Sequence, residues 1–226
     1  KFIQADILDI DSIKPYIEKA EVIHHLAGIT DVAYVKKESD KAKDDLIEKV
    51  AIEGTANVLK SMNADATIVF PSTHVVFEGL KEQKENLDEN EKTNTFLTYS
   101  TSKVENENQI IKSGKKYAIF RLGSVYGFST DTMRINIMPN LFSKIASQNG
   151  KIKLFGGGVQ LKSLVPLIDV TRCFKFVEEK EDFKNGIYNL SKENCTVKDV
   201  ADICKKINPK LEVISTDDEV PNKGYS

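Results

Sequence analysis

Three apolar runs, separated by helical patterns, constrain the fold of this chain more than any other feature. The runs are EVIHHLAG at 21–28, ATIVF at 66–70 and YAIFRL at 117–122. Short apolar runs bounded by small or polar residues are typical of strands buried on both faces of a parallel sheet. One long helical pattern ends near Met62, and another follows Tyr99. Strands that alternate with helices at this spacing predict a parallel α/β sheet.

From about residue 131 the pattern is less regular and predicts a smaller second lobe. The predicted elements are a helix from 136, short strands around a glycine turn within 151–170, a helix at 169–179, a strand at 186–190, a helix from 196 and a last strand at 211–215. The three glycines at 156–158 predict a turn rather than a phosphate loop, because neither a helix nor a Gly-Lys-Ser/Thr ending follows them.

The charge balance argues against nucleic acid and membrane surfaces as partners. The 226 residues include 32 basic and 34 acidic ones, and the lysines are scattered among acids, as in 81–92. A basic patch and an apolar run of membrane-spanning length are both absent from the sequence.

Three cysteines without paired spacing are typical of a reducing compartment, so we expect a cytoplasmic protein. Adjacent His24 and His25 would point to opposite faces of a strand, so no metal site is predicted.

Polar and small residues collect where the predicted strands end. In open parallel sheets, ligands bind beyond the carboxyl ends of the strands. The candidate residues at these ends are Asp6, Gly28, Ser72, Thr73 and Ser124. The pattern therefore predicts a binding site at this edge of the sheet.

Tyr99 and Lys103 are four residues apart at the start of a predicted helix, so their side chains leave the same face one turn apart. A tyrosine with its ordinary pKa near ~10 is a poor base at neutral pH. A neighbouring ammonium group favours the phenolate and lowers that pKa. The pair can therefore transfer a proton if a substrate oxygen and a redox cofactor lie beside it. Taken alone, the same spacing also occurs at ordinary exposed helix starts.

Taken together, these residues resemble the extended short-chain dehydrogenase/reductase family, the NAD-dependent nucleotide-sugar epimerases and dehydratases. The matching segments, in family order, are Asp6–Ile7, His25–Gly28, Gly54–Asn57, Phe70–Thr73, Tyr99 with Lys103, Arg121–Gly127 and Gly186–Asn189. The resemblance implies a Rossmann-like doubly wound parallel sheet with a small α/β substrate lobe. It assigns 1–130 to a partial dinucleotide-binding domain. It assigns 131–226 mainly to the substrate-binding lobe, with some segments returning to the core sheet.

The sequence departs from the family pattern at several positions. It begins at the strand-like KFIQA without a methionine and without the family's glycine-rich phosphate loop, so we expect a chain truncated at its N-terminus that lacks the first βαβ unit. Ala51 stands where the family has an asparagine, and Ser124 replaces another asparagine. The segment 162–166 replaces the usual Arg-Asp-Phe-x-His stretch.

The resemblance also implies roles for individual residues. Tyr99 would exchange a proton with a sugar oxygen, Lys103 would lower its pKa and hold the nicotinamide ribose, and Thr73 would bond the same oxygen; these three are the implied catalytic residues. The implied contacts of NAD or NADP are Asp6, Ile7, Leu26, Ala27, Gly28, Tyr99, Lys103 and Leu122. The implied contacts of a nucleotide sugar are Ser72, Thr73, Ser124, Asn136 and Lys162.

Within the family, the sequence favours an epimerase or a related oxidoreductase that acts on a nucleotide-activated sugar. Dehydratases typically have Asp-Glu after the threonine, whereas Thr73 is followed by His74 and Val75, and valine cannot move protons. A 4-keto-sugar reductase is an alternative, because 72–79 resembles the Ser-Thr-Asp-Tyr-Val-Phe-Asp-Gly run of the deoxysugar reductases. A non-catalytic nucleotide-binding relative is an alternative of another class, favoured by Ala51. The family also implies a homodimer.

Overall fold

The computed structural model describes residues 1–30, 40–180, 182–218, 220 and 224–226. The helices and strands in chain order are α1 (Ile10–Ile17), β1 (Val22–His24), α2 (Lys41–Ser61), β2 (Thr67–Thr73), α3 (Thr98–Lys112), β3 (Lys116–Leu122), β4 (Ser124–Tyr126), α4 (Met138–Ser147), β5 (Lys151–Leu154), β6 (Leu161–Pro166), α5 (Leu167–Glu179), β7 (Gly186–Leu190), β8 (Glu193–Thr196), α6 (Val197–Ile207) and β9 (Glu212–Ser215). None of the helices in the described part of the chain combines the length and apolar character needed to cross a bilayer.

The chain divides into two units. Unit 1 consists of 1–79, 92–121 and 174–188, and unit 2 consists of 80–91, 122–173 and 189–226. The functional roles predicted for 1–130 and 131–226 stay predictions.

Unit 1 is built on a sheet with the strand order β1-β2-β3-β7. Strands β1 and β2 are parallel, with Val22 opposite Thr67. Three successive residues of β2, Ile68, Val69 and Phe70, are buried, which is typical of a strand inside a parallel sheet. Helix α2 packs against α1 and α3, and their apolar faces complete the core. The predicted Rossmann-like α/β fold with a parallel sheet is confirmed.

Unit 2 contains two small sheets. The first has the order β4-β6-β8, in which β4 and β6 are parallel and β6 and β8 are antiparallel. The second pairs β5 with β9 in parallel. Helices α4 and α6 pack together over the unit's apolar core, which includes Phe142, Ile152, Leu164 and Leu211.

Two segments differ from the prediction. Residues 1–5, read as strand-like, form no strand, because a strand needs a neighbour and no strand of the described residues pairs with this segment. Strand β8 was not predicted, because its sequence ENCT is polar and short. The helical pattern before Met62 becomes α2 from Lys41 onwards, and its part at 31–39 lies outside the described residues.

Candidate active site

Lys103 lies at the carboxyl end of β2, one turn along α3 from Tyr99. Its Nζ donates a hydrogen bond to the carbonyl oxygen of Pro71 at 2.8 Å. The same nitrogen is 4.4 Å from the centroid of the Phe70 ring and 5.9 Å from the centroid of the Tyr99 ring. Aromatic faces attract cations at such distances. The ammonium group is therefore held beside the Tyr99 ring by contacts with the strand.

The surroundings of Lys103 change its proton affinity. Burial lowers the pKa of its amine from 10.5 to about 8, and the carboxylate of Glu107 opposes this shift. Lys103 is thus a cation at neutral pH and loses its charge as the pH rises through about 8.

Glu107, which follows Lys103 by four residues on α3, forms a buried ion pair with Arg121. Glu107 and Arg121 are both almost fully buried, and the guanidinium group of Arg121 binds the carboxylate through Nε at 3.1 Å and Nη2 at 2.8 Å. The hydroxyl of Ser72 donates to Oε1 of the same carboxylate at 2.5 Å. The network connects α3, β3 and the end of β2. It therefore fixes the helix that carries Tyr99 against the sheet.

The two hydroxyls at the end of β2 are engaged differently. A hydroxyl has one hydrogen to donate, and that of Ser72 goes to Glu107. The Oγ1 of Thr73 instead accepts a hydrogen bond from the backbone N–H of Val75 at 3.2 Å. Among the described residues, the hydrogen of the Thr73 hydroxyl has no acceptor. Of the two, Thr73 is the side chain that can donate to a ligand.

His25 is a buried member of a second polar network in unit 1. Its Nε2 lies 2.9 Å from Oγ1 of Thr55, and the side-chain amide of Asn106 donates to that same Oγ1 at 2.8 Å and to the carbonyl of Ala51 at 2.8 Å. Burial, followed by the charge of Lys103, lowers the pKa of His25 from 6.5 to about 4. The imidazole is therefore neutral at physiological pH, and it holds the turn after β1 in place.

Four of the predicted cofactor contacts line one cavity in unit 1. Asp6, Ile7, Ala27 and Gly28 lie around a space of about 630 Å³, which is within the usual range for small-molecule sites. Among the described residues, no atom outside the glycine and its two chain neighbours lies within 4 Å of the position that a Cβ on Gly28 would take, so these residues leave its backbone uncovered. Leu26 is 61% exposed beside this turn.

Helix α2 positions one wall of this cavity. A Cβ on Gly54 would clash with the end of the Ile7 side chain, so glycine lets the two segments approach without displacing that side chain. The side-chain amide of Asn57 donates to the carbonyl oxygens of Ile7 at 2.9 Å and Leu8 at 3.3 Å. Gly54, Thr55 and Asn57 form a Gly-Thr-x-Asn pattern. Gly54 and Asn57 fix the segment after Asp6, and Thr55 fixes the turn that contains His25.

The remaining predicted residues lie in unit 2. Ser124 pairs with Leu164, and Lys162 pairs with Cys195. Paired residues and residues two apart on a strand point to the same face, so Ser124 and Lys162 share the face that packs on the core. Asn136 is exposed just before α4, and Leu122 is half-buried at the end of β3.

Lys162 is partly buried and has no counter-ion among the described residues. Burial lowers the pKa of its amine below the ordinary value of 10.5. Among the described residues, its Nζ makes no hydrogen bond and no ion pair. A cation held in this way is costly unless it binds an anion. The position is suited to an anionic ligand.

Two carboxylates that organise unit 1 were not predicted. Glu107 follows Lys103 by four residues on a helix, a spacing that places both on one face and could have revealed it. Glu78 occupies the position of the second acidic residue in the reductase run that 72–79 resembles. Its role has no local signal, because its hydrogen-bond donors, Leu97 and Ser100, come about twenty residues later in the chain.

Solved structures with a similar fold include several enzymes of nucleotide sugars. The UDP-glucuronic acid 4-epimerase from Bacillus cereus, in complex with UDP-glucuronic acid and NAD, matches with a TM-score of 0.80 and 20% identity over 100% of this chain and 71% of that chain. The UDP-glucose 4-epimerase from Thermotoga maritima, with UDP-glucose, matches with a TM-score of 0.77 and 20% identity over 100% and 74%. The dTDP-4-dehydrorhamnose reductase from Bacillus anthracis, in complex with NADP, matches with a TM-score of 0.76 and 19% identity over 98% and 78%.

At these identities the structures establish the fold, and the sequence establishes the family. The family model described as "NAD dependent epimerase/dehydratase family" matches residues 1–191, which is most of the chain. The protein belongs to the NAD dependent epimerase/dehydratase family.

Proposed function

We propose that the protein is an NAD- or NADP-dependent epimerase, or a closely related oxidoreductase, acting on a nucleotide-activated sugar. Tyr99 is the acid–base group that exchanges a proton with a sugar oxygen, and Lys103 supplies the charge that makes its phenolate accessible. Thr73 donates the hydrogen of its hydroxyl to the same oxygen. A phenol and a hydroxyl donor directed at one oxygen are an effective arrangement for general acid–base catalysis.

The placement of Lys103 carries this proposal. A buried ammonium with a pKa of about 8, held on the Pro71 carbonyl beside the Tyr99 ring, favours the phenolate of that tyrosine. A helix start with no catalytic role would leave such a lysine in solvent, where its charge costs nothing. The buried pair Glu107–Arg121 supports the same interpretation, because it fixes the helix that carries both groups.

The cavity of unit 1 fits the adenosine part of a nicotinamide dinucleotide. Its volume, the carboxylate of Asp6 and the open backbone at Gly28 suit a ring and a ribose. The residues proposed to hold the cofactor are Asp6, Ile7, Leu26, Ala27, Gly28, Tyr99, Lys103 and Leu122. A bound nicotinamide supplies the hydride chemistry, which no side chain can provide.

Unit 2 supplies the proposed contacts for the activated sugar. Lys162 is the proposed partner of the diphosphate, because its partly buried ammonium lacks an anion among the described residues. Ser124 lies on the same face, and Asn136 is the other proposed contact from unit 2. Ser72 and Thr73, which belong to unit 1, complete the proposed set. A lysine acts there as a point charge, without the two-pronged geometry of an arginine.

Replacing Lys162 with alanine is expected to raise the KM for the nucleotide sugar by about tenfold or more, because a charge-assisted contact with the diphosphate is lost. The KM for the cofactor should change by less than about twofold. Steady-state kinetics with each substrate varied in turn measures both constants. Lys153→Ala, which removes an exposed lysine of β5, is the matched control. Equal increases in both constants would contradict a contact specific to the sugar nucleotide.

A 4-keto-sugar reductase is a second candidate, favoured by the turn after Thr73. The segment 72–79 ends in Phe77-Glu78-Gly79, which is similar to the ending found in the deoxysugar reductases. The two reactions differ in redox balance: an epimerase leaves the cofactor unchanged overall, whereas a reductase consumes reduced nicotinamide.

An assay of the complete protein against a panel of nucleotide sugars tests the proposal. Absorbance follows reduced nicotinamide, and chromatography separates epimers. Epimer formation without net redox change supports the epimerase, and stoichiometric loss of reduced cofactor with a keto-sugar supports the reductase. Binding of cofactor and nucleotide without turnover of any sugar would reject both and favour a non-catalytic relative.

A further inference from the structure

Helix α3, which carries Tyr99, does not cap its own N-terminus. The first N–H groups of a helix have no partner within the helix and are usually satisfied by a polar side chain at the capping position. The residue at that position is Leu97, whose apolar side chain makes no capping hydrogen bond. Tyr99 lies within the first turn, two residues further on. The orientation of its phenol therefore depends on how this helix start is held.

The carboxylate of Glu78, which is 8% exposed, binds the two residues that precede α3 and one side chain of its first turn. Its Oε1 accepts hydrogen bonds from the backbone N–H groups of Leu97 at 2.9 Å and Phe96 at 3.2 Å. It also accepts one from the hydroxyl of Ser100, the residue that follows Tyr99. Hydrogen bonds to a carboxylate are stronger than those between neutral groups. A negative charge at a helix N-terminus is favourable as well.

Glu78 also connects this helix to Thr73. A turn of 3-10 helix at His74–Phe77 begins at Thr73 and ends immediately before Glu78. Backbone hydrogen bonds join this segment to the one preceding α3, from Asn94 N–H to Val76 at 2.8 Å and from Gly79 N–H to Asn94 at 2.8 Å. A Cβ on Gly79 would lie 2.3 Å from the side-chain oxygen of Asn94, so the two segments approach closely. Glu78 therefore joins the segment that bears Thr73 to the turn that bears Tyr99.

We propose that Glu78 is a positioning residue that sets the orientation and the proton affinity of Tyr99. This inference rests on the role proposed for Tyr99 as the acid–base group. Glu78 acts in two ways. Its hydrogen bonds fix the first turn of α3 relative to Thr73, and its negative charge opposes the phenolate that the ammonium of Lys103 favours.

Two substitutions separate these two effects. Glu78→Gln keeps an oxygen that can accept the same hydrogen bonds but removes the charge. It is therefore expected to lower the pH at which Tyr99 loses its proton by about half a pH unit. Glu78→Ala removes the hydrogen bonds as well as the charge. The kcat should therefore fall about 10- to 100-fold, while the KM for the sugar changes by less than about threefold. Thr196→Ala, which removes a side-chain cap from α6, is the matched control for losing a helix cap and should change neither quantity.

The titration uses ultraviolet absorbance of tyrosinate, with the curve of the Tyr99→Phe variant subtracted to isolate Tyr99. It needs no substrate, so failure of the proposed activity and failure of this inference are distinguishable. A Tyr99 midpoint in Glu78→Gln that equals the wild-type midpoint would overturn the role in proton affinity. A kcat in Glu78→Ala that equals the Thr196→Ala value would overturn the role in positioning.

Discussion

Replacing Tyr99 with phenylalanine is expected to lower kcat for the nucleotide sugar by about 10²- to 10⁴-fold, the usual contribution of a general acid–base group. The phenol hydroxyl is the only group removed, and the ring that faces Lys103 is kept. Cofactor binding should therefore change by less than about threefold. Kinetics on the complete protein measures the loss of kcat, and a fluorescence titration with the dinucleotide measures the change in cofactor binding.

Tyr117→Phe is the matched control for this substitution. Tyr117 lies near the amino end of β3, at the opposite end of the strand from Arg121, and packs against the core of unit 1. Removing its hydroxyl should leave kcat within about twofold. The assignment of Tyr99 is wrong if the Tyr99→Phe variant retains more than about a tenth of the wild-type kcat.

Replacing Arg121 with methionine is expected to lower the free energy of unfolding by about 3–5 kcal/mol, the usual cost of leaving one partner of a buried ion pair without its counter-charge. Arg121 and Glu107 side chains are 4% and 3% exposed, and they share two hydrogen bonds. In the variant, the carboxylate of Glu107 would stay buried while losing this cation. Urea unfolding followed by circular dichroism measures the loss.

A second variant distinguishes the loss of charge balance from the loss of packing. Combining Arg121→Met with Glu107→Leu removes both charges, so a large part of the stability should return. The exposed pair Lys151–Glu212 is the control for an ordinary surface ion pair, and Lys151→Met should cost less than about 1 kcal/mol. A cost for Arg121→Met as small as that of Lys151→Met would contradict a structural role for the buried pair.

The sheet of unit 1 was predictable because its strands are apolar at successive positions. Ile68, Val69 and Phe70 have to be buried on both faces, and a parallel sheet between helices satisfies that requirement. Strand β8 was not predictable in the same way, because it is a short antiparallel neighbour of β6 and its polar residues carry no periodic signal. The strand-like run at 1–5 shows the reverse case: a local preference for extended structure forms no strand without a neighbour.

The parts of the candidate site whose residues are close in the sequence were predictable. Tyr99 and Lys103 are one helical turn apart, and their helix was recognised from the sequence. The role of Glu78 was not predictable, because its partners are chosen by tertiary packing and Leu97 gives no capping signal. The resemblance already implies Thr73 rather than Ser72 as the catalytic hydroxyl, and the structure adds a physical reason, because Glu107 engages the hydroxyl of Ser72.

The proposed catalysis depends on the charge of Lys103, which is expected to favour the phenolate of Tyr99. Lys103→Met removes this charge and keeps the length of the side chain, so the phenol should hold its proton to higher pH. Lys116→Met, at an exposed position of β3, is the control. The most direct test is the tyrosinate titration of Tyr99 in the wild-type protein and in the Lys103→Met variant. A clearly higher midpoint is expected in the variant, and an unchanged midpoint would show that Lys103 does not favour the phenolate.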